Sequence, residues 1–171
     1  TTTTTIAFEI RMASWTGWNG FDGESKKDCG SGVLVAMKSE FSPDNHRDRR
    51  WKYQCGTIHG GSVAVAVGQF TGWRNSWDGE FNTNCGPNEV LAGFESQHSN
   101  NKEDRIFKIK CNKLLNAKIT PHGWTEYSKY KKNWNPSCGK NEVLYKVKSK
   151  HDDRKKDRKW KFQCASISSK P

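Results

Sequence analysis

Three pairs of cysteines share one spacing: Cys29 to Cys55, Cys85 to Cys111 and Cys138 to Cys164 are each 26 residues apart. The second member of each pair ends the same octapeptide theme. It reads Asp48-Arg49-Arg50-Trp51-Lys52-Tyr53-Gln54-Cys55, then Asp104-Arg105-Ile106-Phe107-Lys108-Ile109-Lys110-Cys111, then Asp157-Arg158-Lys159-Trp160-Lys161-Phe162-Gln163-Cys164. All three fit D-R-x-aromatic-K-φ-x-C, where φ is apolar, and such a recurrence marks internal repeats. They cover about 6–55, 62–111 and 117–164 of the 171 residues. Units this short rarely bury a core alone, so the three are expected to share one core in a single domain spanning 1–171.

The even, repeated cysteine pattern predicts one disulfide inside each repeat: Cys29–Cys55, Cys85–Cys111 and Cys138–Cys164. Zinc is the competing reading. It is disfavoured because no C-x-x-C occurs and the histidines (46, 59, 98, 122 and 151) show no common place in the repeats. Neither a metal centre nor a cofactor is expected. Only 33% of residues are hydrophobic, yet there are 8 Trp, 8 Phe and 4 Tyr. An aromatic core with so few aliphatics needs further support, and closing a 26-residue loop contributes about 3 to 3.5 kcal/mol in the chain-entropy view. Disulfides of this kind point to an oxidising compartment, hence a secreted, extracellular protein. No apolar run reaches the length of a membrane span and no signal peptide is seen. The opening Thr1–Thr5 run reads as a mature or trimmed end.

Each repeat follows one order. A β-prone segment comes first: Ile6–Ile10, Ser62–Val67, and more weakly Ala117–Thr120. A Gly-Trp pair (Gly17-Trp18, Gly72-Trp73, Gly123-Trp124) then opens a polar loop holding Phe21, Trp77 or Tyr130 eight residues before the cysteine. Cys-Gly, a turn and a short apolar strand follow (Leu34–Met37, Val90–Phe94, Val143–Val147), and the Asp-Arg strand returns to the second cysteine. In that strand Trp51, Tyr53 and Cys55 alternate with Arg50, Lys52 and Gln54, the period of a half-buried antiparallel strand. No segment keeps the 3.6 period of a helix. The expected fold is all-β, three antiparallel repeats with pseudo-threefold symmetry, either β-trefoil-like or β-prism-like.

Two kinds of binding residue emerge. If aromatics and cysteines face inward, then Arg50, Lys52, Lys108, Lys110, Lys159 and Lys161 face outward, with Arg158 beside them, as rows suited to a polyanion. The bland alternative is a solvated sheet face. Net charge is +11, and from Thr120 onward fourteen Lys and Arg stand against five acids, which singles out the Lys146–Lys161 region. The Gly-Trp loops are the second kind. Trp18, Asn19, Asp22 and Glu24, then Trp73, Asn75, Asp78 and Glu80, with Trp124 in the third copy, offer rings to stack on sugars and polar groups for hydroxyls. Repeat three replaces Asp-Gly-Glu by Lys131-Lys132-Asn133. With so few aliphatics most Trp must pack in the core, Trp134 least, because it has no equivalent in the other copies. The Asp-Arg pairs suit turn and strand-pairing roles first and ligand contact second. Calcium has no complete oxygen cage here. No nucleophile, metal-hydrolase or phosphate-loop motif is present, so an enzyme is not expected.

Leu91-Ala92-Gly93-Phe94-Glu95-Ser96, followed by the Asp104–Cys111 strand, resembles the repeat of the dermatopontin family, V-x-G-[FY]-x-S…D-R-x-W-x-[FY]-x-C. Asp48-Arg49-Arg50-Trp51 and Asp157-Arg158-Lys159-Trp160 match its aromatic position, while Phe107 replaces the Trp. The likeness runs from Trp15 to Cys164. It implies a secreted matrix protein, agglutinin or lectin; a few members look like cytotoxins. Vertebrate members are acidic and Tyr-rich, so their sulfated-tyrosine and integrin-type contacts are not carried over to this basic chain, which has no R-G-D. The expected function is therefore a non-enzymatic, secreted lectin or agglutinin for acidic or sulfated glycans, including glycosaminoglycans, on cell surfaces or matrix. An extracellular-matrix or adhesion protein with protein partners is the alternative. A cytolytic toxin ranks third, for want of an amphipathic segment. Neither nucleic-acid binding nor membrane insertion is expected, and a homo-oligomer is compatible with these features.

Overall fold

The computed structural model describes residues 6–171, so the Thr1–Thr5 run lies outside the described residues. Repeat one contributes β1 (Glu9–Met12), β2 (Ser25–Asp28), β3 (Val33–Phe41) and β4 (Arg49–His59). Repeat two contributes β5 (Ala64–Ala66), β6 (Phe81–Asn82), β7 (Glu89–Ser99) and β8 (Asp104–Leu115). Repeat three contributes β9 (Ala117–Pro121), β10 (Glu142–Asp152) and β11 (Asp157–Ser169).

The hairpins β3/β4, β7/β8 and β10/β11 form as the alternation demands, each clasped by its own disulfide: Cys29–Cys55, Cys85–Cys111 and Cys138–Cys164. Each hairpin slips register once, at the same place in the repeat, between Leu34 and Ala36, Leu91 and Gly93, and Leu144 and Lys146. A bulge changes which face a residue points to. Leu34, Leu91 and Leu144, just before the bulge, lie in the central core, while their neighbours Val33, Val90 and Val143 face the other way by ordinary alternation and pack in a second cluster.

Each hairpin also takes a segment from the preceding repeat. β2 pairs with β7, and β6 pairs with β10. The stretch around Trp134 and Ser137 pairs with β3, which closes the cycle. The three resulting sheets are separate and face one axis, a prism-like arrangement. This exchange gives Trp134 equivalents that the sequence hides. It stands opposite Ser39 as Phe81 stands opposite Ser149 and Ser25 opposite Ser96. Trp134 is 6% exposed and stacks on Trp160 with centroids 5.0 Å apart, so it belongs to the core. Where repeat one has only the small Ser25, the Tyr53 hydroxyl reaches in and bonds it at 2.6 Å. Burial pushes that phenol's pKa far up.

The axis is capped by a cyclic ring of ion pairs. Arg49 grips Asp157, Arg105 grips Asp48 and Arg158 grips Asp104, each through two nitrogens at 2.6–2.8 Å. None of the six side chains is more than 4% exposed. Each carboxylate also accepts a backbone N–H, from Asp22, Asp78 or Lys131. Those three residues hold left-handed φ angles of 62°, 61° and 60°, a strained conformation that aims the amide at the buried charge. Below the ring, Trp51, Phe107 and Trp160 meet edge to face at 5.1–6.0 Å.

Candidate functional site

The Gly-Trp segments are not free loops. Each lies along the returning Asp-Arg strand of its own hairpin, in repeat one held by Thr16 and Asn19 N–H donating to the Tyr53 and Trp51 carbonyls. The Thr16 hydroxyl and Asn19 amide oxygen accept the Tyr53 and Trp51 N–H in return. Thr71 and Asn75 satisfy Ile109 and Phe107 in the same way, and Thr125 and Ser128 satisfy Phe162 and Trp160. Side-chain oxygens thus replace the regular ladder wherever the segment bulges.

This strapping lays the loop aromatics over the outward cations of the strands. Trp18 lies under Arg50 and Lys52, at 4.7 and 4.8 Å from the ring centroid. Trp73, 38% exposed, carries Lys108 at 4.5 Å. Trp124 carries Lys148 and Lys161 at 4.7 and 5.2 Å, and Tyr127 carries Lys159 and Lys161, each at 4.8 Å. Tyr130 holds Lys155 at 4.5 Å, and burial pushes its phenol pKa up. Such contacts fix where the ammonium groups stand while leaving them accessible. The loop tryptophans and several of the outward strand cations, read from the sequence as two separate candidate groups, therefore meet on one surface.

Repeat three differs from the others across its strands. In repeat one Lys38 is opposite Lys52 but Arg50 is opposite Glu40 and bonded to it at 2.7 Å, and in repeat two Lys108 is opposite Glu95, so repeat three alone has two like-charged pairs in succession. In repeat three Lys148 faces Lys161 and Lys150 faces Lys159. Like charges directly opposite destabilise a sheet. Two adjacent pairs of them, beside Trp124 and Tyr127, concentrate positive charge on one face, where Glu80, 3.6 Å from Lys150, is the acidic neighbour. A cleft there is lined by Tyr127, Lys148, Lys150 and Lys161 together with Glu80 and Asn82. Sequence reading singled out the Lys146–Lys161 region but missed Tyr127. Its only signal is the three-residue step Trp124, Tyr127, Tyr130 along the strapped segment.

Other expected contacts fall elsewhere. Lys110, read as outward, is 3% exposed: its ammonium bonds Asp28 at 2.6 Å and the Gly30 carbonyl, because β2 brings a carboxylate and a turn against it. That contact holds the Asp28 carboxyl below its ordinary range. Arg158 is buried in the ring and closed to a polyanion. Asn19 and Asn75 are spent on backbone groups, and the carboxylates of the loops have other neighbours. Asp22 and Asp78 reach the tip of the next hairpin, near His98 and His151. Glu24 accepts from Gln97 and Glu80 lies 3.6 Å from Lys150. A compact Trp-Asn-Asp-Glu sugar site is thus not assembled in either repeat. His98 and His151 also share a place after all, opposite Arg105 and Arg158, which only the strand register makes visible.

Comparison with known proteins agrees with these repeats. The chain is 34% identical over 156 residues to the hemagglutinin/amebocyte aggregation factor of Limulus polyphemus, covering 88% of this chain and 87% of that protein. It is 26% identical over 144 residues to Millepora cytotoxin-1 of Millepora dichotoma, covering 84% of this chain and 64% of the relative. It is 24% identical over 136 residues to the dermatopontin of Biomphalaria glabrata, covering 79% and 89%. No solved structure matches the chain. The family profile described as Dermatopontin matches residues 19–128 and 118–171, which take in all three clasped hairpins and the whole Asp-Arg ring, and the chain belongs to the dermatopontin family.

Proposed function

We propose that this protein is a secreted, non-enzymatic agglutinin-type lectin that binds acidic or sulfated glycans on cell surfaces or matrix, with its principal site on the outer face of repeat three. The observation that carries this reading is the two pairs of facing lysines, Lys148 with Lys161 and Lys150 with Lys159, set over Trp124 and Tyr127. Sulfates spaced along a glycan chain would relieve the repulsion between those lysines, and flanking rings favour sugar faces. The faces of repeats one and two, built on Trp18 with Lys52 and Trp73 with Lys108, offer weaker copies pointing in other directions. Several weak sites on one rigid body gain avidity and can bridge two surfaces. The name of the Limulus relative, a hemagglutinin and aggregation factor, supports the same reading. So do three disulfides, which fit an extracellular compartment.

A glycan array read at two salt concentrations, with heparin chromatography beside it, tests this. Retention on heparin that needs elevated salt for elution, and array signals confined to sulfated or carboxylated glycans, are expected. Flow-through at low salt with a blank array rejects the reading. An array selecting neutral sugars regardless of salt moves recognition away from the lysines.

A further inference from the structure

Two of the three junctions between repeats carry the same pair of side chains. Asp22, Asp78 and Lys131 are equivalent, since each donates its backbone N–H to a ring aspartate. His98, His151 and Phe41 are equivalent, since each stands opposite the ring arginine of its hairpin. Asp22 meets His98 and Asp78 meets His151, in both cases with Nδ1 to Oδ1 at 3.2 Å. At the third junction both members have changed, to Lys131 and Phe41. Aspartate and histidine are therefore kept together or lost together within one chain, as partners in one task are.

Hydrogen bonding does not describe that task. Both imidazoles are 1% exposed, and the Nδ1 atoms of His98 and His151 have no hydrogen-bond partner among the described residues. Nitrogen and oxygen sit side by side without aiming at one another, as two ligands of a common third atom do. Ligand atoms bound at about 2.0–2.2 Å to one tetrahedral or octahedral cation stand roughly 3–3.5 Å apart. At the second junction Asp153 completes a trio whose ligand atoms all lie within 4.8 Å of one another. The other nitrogen of His151 approaches the Glu103 carbonyl at 3.4 Å, the kind of outer contact that orients a metal-bound imidazole.

We propose that Asp78, His151 and Asp153 form a binding site for a divalent transition-metal ion of the zinc class. The trio at the first junction, Asp22, Asp48 and His98, is a poorer version, because both oxygens of the buried Asp48 already hold Arg105, whereas the exposed Asp153 gives only Oδ1, to Lys156 at 2.7 Å. An imidazole ligand favours zinc, copper or nickel over calcium and magnesium. The net charge of +11 further disfavours ions held by charge alone. The site departs from the sequence-based expectation of no metal, which rested on the histidines having no common place. It does not depend on the glycan reading.

Equilibrium dialysis of the whole protein against zinc chloride, with cobalt absorption as a spectroscopic check, tests the site. The unaltered chain is expected to retain one more ion than His151→Phe, which installs the residue repeat one carries at this place. Asp78→Asn is expected to lose the same ion, and excess calcium to leave it bound. Asp153→Asn, at a side chain 73% exposed, leaves the core untouched and is expected to weaken retention even if His151→Phe folds poorly. Equal zinc content in the unaltered chain and in Asp78→Asn and Asp153→Asn, or displacement by calcium, overturns the proposal.

Discussion

The guanidinium of Arg158 closes on the carboxylate of Asp104, Nε to Oδ1 at 2.6 Å and Nη2 to Oδ2 at 2.7 Å, across 54 residues of chain. One arginine of the third repeat thereby fastens the second. The same step taken from repeat two to one, and from one to three, makes a ring with no free end.

That ring sets the first prediction. Removing one member strands its partner's charge out of water, so Asp104→Asn or Arg158→Met is expected to destabilise the fold by about 3–5 kcal/mol. Urea denaturation measures it. The double variant is expected to cost clearly less than the sum of the singles, since it strands no charge. Additive costs would mean that the pair is not coupled.

Trp134 tests the exchange of segments. It is supplied by repeat three, packs on Trp160 and pairs with Ser39 of repeat one. Trp134→Ala is expected to cost about 3–5 kcal/mol, as a buried aromatic does. A peripheral ring would cost well under 1 kcal/mol by the same denaturation experiment.

On the outer face, Lys159→Glu with Lys161→Glu is expected to leave the melting temperature close to that of the parent, or slightly raised, because two repulsive cross-strand pairs become attractive. Heparin retention is expected to fall sharply. The slope of log affinity against log salt should drop by about one to two, on the counterion arithmetic worked out for nucleic acids. The same reversal at Lys110 cannot test the surface, since its ammonium is buried on Asp28.

His46 reports the electrostatics of the first junction. Its Nδ1 bonds Asp22 at 2.7 Å, and that bond, the largest cause, raises its pKa above the ordinary 6.5. The protonated contact is fully present below the ordinary value and is lost as pH rises through the higher folded value. An NMR titration of the imidazole is expected to give a midpoint above 6.5, and Asp22→Asn to lower it. An unchanged midpoint in that variant would assign the shift to another neighbour.

The sequence by itself determined what is local. Cysteine spacing and strict alternation in the Asp-Arg strands led to the three clasped hairpins, and the order of segments led to the threefold all-β plan. These are properties of neighbouring residues, set by a period of two and by loop closure. Only the tertiary structure decided how the repeats join. β2, β6 and the Trp134 segment are short and polar or irregular, and they pair as they do because a neighbouring hairpin offers them an unsatisfied edge. From that exchange follow the burial of Lys110, the role of Trp134, the withdrawal of Arg158 into the ring and the common place of His98 and His151. Each depends on a partner tens of residues away. The lysine ladder lies between these cases: its charges were legible in the chain, but which lysine faces which was fixed by the bulge between Leu144 and Lys146.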